Sequence, residues 1–172
     1  MITMNIFVLD NNPIKAAAAM DCVRVPKMVT ESAQMMASAL RRHGATDDMM
    51  PLTKAGKPYK GGYHHHPCTV WAGDTRANFK WLAHHAEALL DEYYHRFGKV
   101  HACHNPIYQM SSMSKMIPEG DLTPFALAMP DEHKDDDVVK AYRAYYHSKA
   151  DSKGGVHYRH TSPPDWWMGV TS

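Results

Sequence analysis

The stretch DTRANFKWLAHHAEALLDEYYHRFG, residues 74–98, carries the clearest helical pattern in the chain. Asp74 or Thr75 can cap its start, and Gly98 is the type of residue that ends many helices in a left-handed conformation. Apolar side chains recur along it every three or four residues and form one stripe. These side chains are Phe79, Leu82, Ala86, Leu89, Tyr93 and Phe97. The pattern predicts a long amphipathic helix packed against the core.

A second stripe of the same helix is mainly polar. It consists of Asn78, Trp81, His85, Ala88, Glu92 and Arg96, which also follow one another at steps of three or four. One interpretation is a solvated face with an ion pair between Glu92 and Arg96. The other is a face that meets a ligand or another segment, because a ring as large as Trp81 is seldom left among charges on an open surface. We expect this polar stripe to line a sheltered site.

Further helices are predicted on both sides of residues 74–98. Asn12 and Pro13 are typical of a helix start, and a second helix is predicted from Pro26 to the stop at Gly44. Residues 44–68 are predicted to form a long surface loop, residues 100–116 a further helix, and residues from Asp137 onward a last helix. Residues 4–9, MNIFVL, are predicted to be a short strand or extended segment.

These elements predict an all-α, mainly helical single domain over residues 1–172. We expect a compact helical bundle with long loops and a short N-terminal extended segment, because 172 residues can bury one sizeable core. Residues 150–172 are a candidate for a loosely docked tail, held by Trp166 and Trp167.

The composition limits the class of protein. Nineteen Lys and Arg against eighteen Asp and Glu leave a net charge of +1, so attraction to a polyanion has to come from local clusters of charge. No apolar run approaches the roughly 18 residues that cross a bilayer. Three widely spaced cysteines do not form a disulfide framework. We expect a soluble, cytoplasmic protein without a membrane partner, and the sequence leaves its oligomeric state open.

Residues 64–68, HHHPC, lie just before the long helix. We expect them near its N-terminus, where backbone N–H groups and the helix dipole favour an anion such as the phosphate of a nucleotide. Zinc binding is the alternative, with His101, Cys103 and His104 as distant partners. The chain lacks CxxC, HExxH and deaminase spacings. We therefore predict no metal site and no cofactor.

Several motifs resemble known families. The stretches PKMVTESAQMM, HPCTVWAGDTRANFKWL, EYYHRFGKVH, LTPFALAMP and AYRAYY are similar to a family of small phage-encoded proteins, over most of residues 4–147. More distantly, the order of elements resembles the endonuclease V-type pyrimidine dimer DNA glycosylases of phages, including the Pro-basic step at Pro26 and Lys27. The resemblance implies an all-α domain that grips bent DNA and exposes a base. For a phage-encoded protein, the compartment is the host cytoplasm.

The chain departs from the glycosylase pattern at two points. In those enzymes a catalytic glutamate lies shortly before the Pro-basic step, and the matching residue here is Arg24. Their nucleophile is an N-terminal amine freed by loss of Met, whereas Met1 here precedes the bulky Ile2. We expect DNA binding to carry over from the family, and the glycosylase-lyase chemistry not to.

Two functional hypotheses follow. The first is an enzyme acting on nucleic acid or nucleotides, glycosylase-like or hydrolytic, with Glu92 as general acid or base and His66 or His101 as its proton partner. Arg24 and Arg96 would hold phosphate, and Trp81 or Tyr93 would stack on a base. The nucleic-acid-binding residues predicted for this hypothesis are Arg24, Lys27, Asn78, Trp81, Tyr93, Arg96 and Arg143.

The second hypothesis is a non-catalytic DNA-binding accessory or inhibitor protein of phage type. Basic side chains would then contact backbone phosphates, and the affinity would fall steeply with salt. The candidate side chains are Arg24, Lys27, Arg41, Arg42, Lys54, Lys57, Lys60, Arg143 and Lys149. Both hypotheses name a nucleic acid, DNA in the first place, or a nucleotide as the partner.

Overall fold

The long helix predicted over residues 74–98 is present at the centre of the fold. The structure is a computed structural model that describes residues 4–169 and residue 171. Among these residues there are six α-helices and no β-strand, which confirms the all-α class. The helices are α1 (Pro13–Ala19), α2 (Arg24–Arg42), α3 (Pro67–Asp74), α4 (Arg76–Phe97), α5 (His104–Ser111) and α6 (Val138–His147).

The apolar stripe of α4 forms the core for most of its length. Phe79, Leu82, Ala86 and Leu89 are fully buried, and α4 packs against α1, α2, α3 and α5. The stripe leaves the core in the last turn, where Phe97 is exposed. The predicted caps are confirmed, since the Thr75 side chain accepts a hydrogen bond from Asn78 N and Gly98 ends the helix at φ +67°.

The first two helices begin for identifiable local reasons. The Asn12 side chain accepts hydrogen bonds from Ile14 N and Lys15 N, as its position before Pro13 predicts. The predicted start of α2 at Pro26 is wrong by two residues. The carboxylate of Asp21 accepts a hydrogen bond from Val23 N and its carbonyl accepts one from Val25 N, so the helix begins before the proline.

The HHHPC segment lies elsewhere than predicted. Pro67 opens α3, a separate helix of eight residues, and the Nδ1 of His66 accepts a hydrogen bond from Cys68 N. Thr75 then breaks the chain between α3 and α4, with an extended backbone at φ −140° and ψ 155°. These residues therefore lie at the N-terminus of α3, and the expected place at the start of the long helix is wrong. The predicted loop, residues 44–68, ends two residues early because α3 begins at Pro67, and it contains one short 3-10 helix, Asp47–Met49.

The remaining segments lie over the bundle. Helix α5 begins at His104, with Pro106 in its first turn, and residues 117–137 are irregular apart from the 3-10 turn Asp131–His133. In the C-terminal segment, Val156 is fully buried and the ring of Trp167 stacks on His147 at a centroid distance of 4.7 Å. The end of the predicted tail, residues 170 and 172, lies outside the described residues. The assignment of the whole chain to one domain stays a prediction.

Asn78 joins three segments through buried hydrogen bonds. Its Nδ2 donates to the carbonyl of Trp71 at 2.9 Å and to the Thr123 hydroxyl at 2.8 Å. Its Oδ1 accepts from Thr123 N at 2.9 Å. The side chain is fully buried. It therefore fixes α3 and the segment around residue 123 to α4.

No described helix is both long enough and apolar enough to span a bilayer.

Replacement of Asn78 by Ala tests the hydrogen bonds by which this side chain joins α3 and the segment around residue 123 to α4. The change leaves a buried N–H and a buried carbonyl without their partner, so we expect the free energy of unfolding to fall by about 2–4 kcal/mol. Urea denaturation measures it. Lys80→Ala, at an exposed site two residues away, is the control and should change the stability by less than about 0.5 kcal/mol. Equal free energies of unfolding for the two variants would contradict a stabilising role of the Asn78 hydrogen bonds.

Candidate nucleic-acid interface

The polar stripe of α4 meets another segment of the protein. Trp81 and His85 are buried, and their rings stack at a centroid distance of 5.2 Å. Trp81 Nε1 donates a hydrogen bond to the carbonyl of Asn11, and His85 Nδ1 lies 2.9 Å from the carbonyl of Pro13. We expected this face to meet either a ligand or another segment of the chain, and the structure shows contact with another segment. Nucleic-acid binding by Asn78 and Trp81 stays a prediction, and the geometry gives both a packing role.

Glu92 and Arg96 form an ion pair at the end of the stripe. Arg96 Nη2 lies 2.8 Å from Glu92 Oε1, and its guanidinium also donates to the carbonyls of Met20 and Ala18. The Arg96 side chain has no exposed surface. It therefore closes the C-terminal end of α1, and phosphate could reach it only by displacing these bonds. Its predicted phosphate contact and the catalytic role predicted for Glu92 remain without geometric support.

The two predicted catalytic histidines contact different segments. His66 caps α3, and partial burial lowers its pKa. The His101 ring packs edge-on against Tyr93 at a centroid distance of 4.9 Å, its Nδ1 accepts a hydrogen bond from Cys103 N, and burial lowers its pKa as well. The structure thus brings together His101 and Tyr93 from the predicted set. The roles of His66 and His101 in proton transfer and of Tyr93 in base stacking stay predictions.

Arg143 holds the N-terminal segment onto α6. Its Nε donates to the carbonyl of Leu9 at 3.0 Å, and its guanidinium lies over the ring of Trp166 at 5.0 Å. About a third of the side chain is exposed. It connects the segments that border the cleft described next, and direct contact with nucleic acid stays a prediction for it.

Two of the predicted nucleic-acid-binding residues, Arg24 and Lys27, line one cleft. It lies between the start of α2, the end of α6 and the N-terminal segment, and we call it the Arg24 cleft. Its volume is about 100 Å³. Its lining residues are Asn5, Phe7, Arg24, Lys27, Met28, Tyr145, Lys149 and Ser152.

A buried carboxylate holds Arg24 in this cleft. Asp21 has no exposed surface, and its Oδ1 lies 3.1 Å from Arg24 Nη1. The same carboxylate accepts hydrogen bonds from the Tyr146 hydroxyl, at 2.5 Å, and from His157 N, at 3.0 Å. Burial raises the pKa of Tyr146 well above its usual value, and the charge of Asp21 raises it further. This Asp21 network therefore ties α2, α6 and the C-terminal segment together at the floor of the cleft.

The N-terminal wall of the cleft is held by Asn5 and Glu31. Asn5 N donates to Glu31 Oε1 at 2.9 Å, and Asn5 Oδ1 accepts from the backbone N–H of Phe7 at 2.8 Å. Phe7 has φ +57°, which costs a non-glycine residue about 1–2 kcal/mol. Its ring stacks on Tyr145 at 5.8 Å. Burial raises the pKa of Glu31, an effect that the bond from Asn5 and the charge of Lys27 oppose.

The chemical character of the Arg24 cleft is cationic. Lys149 Nζ donates to the Tyr145 hydroxyl at 3.0 Å and lies over the same ring. Neither Lys27 nor Lys149 forms an ion pair with a described carboxylate, and no acidic side chain lines the cleft. Lys149 therefore has no counterion, and Lys27 has only the longer-range attraction of Glu31, beside Arg24, whose charge Asp21 offsets. Such a cleft can hold an anion.

Part of this cleft was not predicted. Lys149 was named only as a DNA contact of the non-catalytic hypothesis, while Asn5, Phe7 and Ser152 were missed. A polar residue inside the apolar run MNIFVL was the one available signal for Asn5. Nothing in the local sequence places residue 152 beside residue 24, because their contact joins positions 128 residues apart.

The sequence model of the pyrimidine dimer DNA glycosylases matches residues 4–105. The chain belongs to the pyrimidine dimer DNA glycosylase family. No curated protein and no solved structure matches it. The matched range contains α1 to α4 and the Asn5, Arg24 and Lys27 part of the cleft, whereas Tyr145 and Lys149 lie beyond it.

Arg24 is the residue of this cleft at which the chain departs from the glycosylase pattern described above. The resemblance described above aligns it with the catalytic glutamate of these glycosylases, and here the position carries a guanidinium fixed by Asp21 and by the carbonyl of Gly155. Our expectation about the N-terminal nucleophile concerns Met1 and Ile2, which lie outside the described residues.

Burial of His85 predicts a loss of stability in acid. Burial lowers its pKa from 6.5 to about 4. Between pH 6.5 and pH 4, the imidazole is therefore protonated in the unfolded chain and neutral in the native protein. The free energy of unfolding should therefore fall by about 3 kcal/mol from this group as the pH decreases from 6.5 to 4. Urea denaturation at several pH values measures the slope.

Variants at neighbouring histidines isolate this effect. His85→Gln keeps a donor for the Pro13 carbonyl but has no proton to gain, so its stability should depend less on pH between 6.5 and 4 than that of the unaltered protein. His84→Gln, at the exposed neighbouring position, should keep the original dependence. Identical slopes for all three proteins would contradict burial of a neutral His85.

Proposed function

We propose that this member of the glycosylase family is a DNA-binding protein whose Arg24 cleft holds a backbone phosphate. The observation that carries the proposal is the lining of the cleft, which has three basic side chains and no acidic one. The family supplies the substrate class, since it is the family of the pyrimidine dimer DNA glycosylases. Phosphate contacts of this kind position a protein on DNA without reading its sequence.

The size of the cleft favours a phosphate over a flipped base. Its volume of about 100 Å³ is below the roughly 300–1,000 Å³ of sites that enclose a small molecule. A phosphate oxygen could accept hydrogen bonds from Lys27 and Lys149 together, while Tyr145 offers a ring at the edge. Extrusion of a base, as in the family's chemistry, would require a larger opening than the one present.

The lack of an acidic group favours binding without base excision. The resemblance gives the glycosylases a catalytic glutamate shortly before the Pro-basic step, and the matching position here holds Arg24 instead. Asp21 is near, but its oxygens accept hydrogen bonds from Arg24, Tyr146 and two backbone N–H groups. We therefore propose an accessory role on DNA, with a glycosylase-like enzyme as the competing function.

Salt dependence tests the proposed phosphate contact. In the double variant Lys27→Gln/Lys149→Gln, the affinity for duplex DNA should fall, and the slope of log K against log salt should become shallower by about 0.9, the value for one phosphate. Fluorescence anisotropy with a labelled duplex at several salt concentrations measures it. Lys80→Gln/Lys99→Gln removes the same charge from exposed positions outside the cleft lining and should leave the slope nearly unchanged.

The competing function is tested on the same protein. Incubation with a duplex that contains a pyrimidine dimer should give binding without strand cleavage and without a covalent adduct after borohydride reduction. Cleavage above the level of the buffer control would establish the enzyme instead. If the slope of log K against log salt is the same for both double variants, the Arg24 cleft does not contact DNA phosphate.

A further inference from the structure

A second cleft lies at the other end of α2, against the first turn of α3. Its volume is about 370 Å³, within the range of sites that enclose small ligands. Polar groups reach it from Arg42, His64, His65 and Thr69, and an apolar surface is supplied beside them by Val70. We call it the Thr69 cleft. DNA binding at the Arg24 cleft does not account for it.

The two clefts are separate sites. Arg24 and Ser38, which line one cleft each, are fourteen residues apart on α2. At a rise of 1.5 Å per residue this separation is about 21 Å along the helix. A single phosphate cannot occupy both.

Thr69, which lines this cleft, has a buried hydroxyl without a hydrogen-bond partner among the described residues. The residue is only 3% exposed. A buried hydroxyl without a partner costs about 1–3 kcal/mol. A ligand oxygen in the cleft would satisfy it.

The backbone around Thr69 favours an anion. Thr69 is the third residue of α3, a helix whose first-turn N–H groups have no acceptor within the helix. Pro67 has no backbone N–H, and the backbone N–H of Cys68 already donates a hydrogen bond to His66 Nδ1. The N–H of Thr69 and the positive end of the helix dipole are therefore left for a ligand at this end of the helix.

Arg42 adds a cationic group that is only partly engaged. Its Nη1 donates to the carbonyl of Val70 and to Asp74, both at 3.1 Å. Its Nε and Nη2 have no bond to a residue that the structure describes, and 45% of the side chain is exposed. These two nitrogens form the edge that matches two oxygens of a phosphate. Asp74 offsets part of the charge, so hydrogen bonding matters here more than net charge.

The loop that carries His64 and His65 is fixed to α2. The Ser38 hydroxyl donates to the carbonyl of Gly62 and accepts from Gly62 N. Gly61 has φ +80°, and a Cβ at this position would lie 2.6 Å from Ser38 N. Only glycine allows this approach. The two histidines are therefore held at the mouth of the cleft before any ligand arrives.

From these contacts we propose that the Thr69 cleft binds a phosphate-bearing ligand of nucleotide size. The phosphate lies between the Thr69 hydroxyl, the Thr69 N–H and the free edge of Arg42, with the histidines at its open side. The remainder of the ligand lies against Ala39 and Val70. The ligand can be a free nucleotide or a terminal nucleotide of DNA, which share this chemistry.

Four probes test the site by isothermal titration of the full chain. Thymidine 5′-monophosphate should bind, inorganic phosphate should bind more weakly, and thymidine should not bind. The 5′-phosphorylated dinucleotide pTpT distinguishes the sources, since tighter binding than that of the monophosphate would assign the site to a DNA terminus and weaker binding to a free nucleotide. Equal binding of thymidine and its monophosphate, or no binding of any phosphate probe, would overturn the proposal.

Variants assign the binding to this cleft. Thr69→Val is nearly isosteric and should weaken monophosphate binding about tenfold or more, because it removes a hydrogen bond to a charged group. Thr69→Ser keeps the hydroxyl and should bind. Arg42→Gln should weaken binding, while Arg76→Gln, which removes an arginine with similar structural bonds elsewhere, should not. Unchanged affinity in folded Thr69→Val would overturn the proposal, and the Lys27 and Lys149 variants should leave this affinity intact.

Discussion

The carboxylate of Asp21 is the constraint on which the candidate interface depends. A fully buried charge is costly unless it is paired and hydrogen-bonded, and Asp21 meets that condition with Arg24, Tyr146 and two backbone N–H groups. These partners come from α2, from α6 and from the C-terminal segment. The network thus fixes the mutual position of segments that are far apart in sequence. Removal of any one partner would leave a buried charge without compensation, so the arrangement is expected to be rigid.

This constraint is compatible with the proposed DNA-binding role of a family member in which Arg24 stands at the position that the resemblance aligns with a catalytic glutamate. A carboxylate at position 24 would lie beside Asp21 and repel it, whereas a guanidinium is attracted to it. Arg24 and Asp21 are therefore complementary, and together they remove free negative charge from the cleft. The cations of Lys27 and Lys149 then dominate its opening. Phe7, in a strained backbone conformation fixed by Asn5, closes the opposite wall and restricts the space to the size of a phosphate.

Local sequence patterns predicted the helices better than the site. The caps of α1, α4 and α6 were predictable because a few neighbouring side chains determine them. The stripe of Trp81 and Arg96 was correctly identified as one face, but periodicity does not say what covers a face, and here it is α1 and the residues before it. Thr75 was identified as a cap of α4, but α3 before it was missed, because a helix of eight residues that contains Gly73 shows too few turns for a clear apolar period. Asp21, which moved the start of α2, acts through its side chain and was not singled out.

The Arg24 cleft could be predicted only in part for a related reason. Arg24 and Lys27 are close in sequence and belong to a recognisable Pro-basic step, so a resemblance to the glycosylases was enough to select them. Tyr145 and Ser152 join them from more than a hundred residues away, and Asn5 is held beside them by Glu31, 26 residues away, and no local pattern encodes these contacts. Thr69 was hidden because an unsatisfied hydroxyl is a property of the packed structure.

The central claim is that DNA meets this protein at the Arg24 cleft and not along the polar stripe of α4. The most direct measurement is an NMR titration of the isotope-labelled protein with a short DNA duplex, followed through assigned backbone and side-chain resonances. The account predicts that the largest shift changes occur at Lys27, Tyr145 and Lys149, with little change at Trp81 and Glu92. Large changes at Trp81 and Glu92, with Lys27 and Lys149 unaffected, would contradict it.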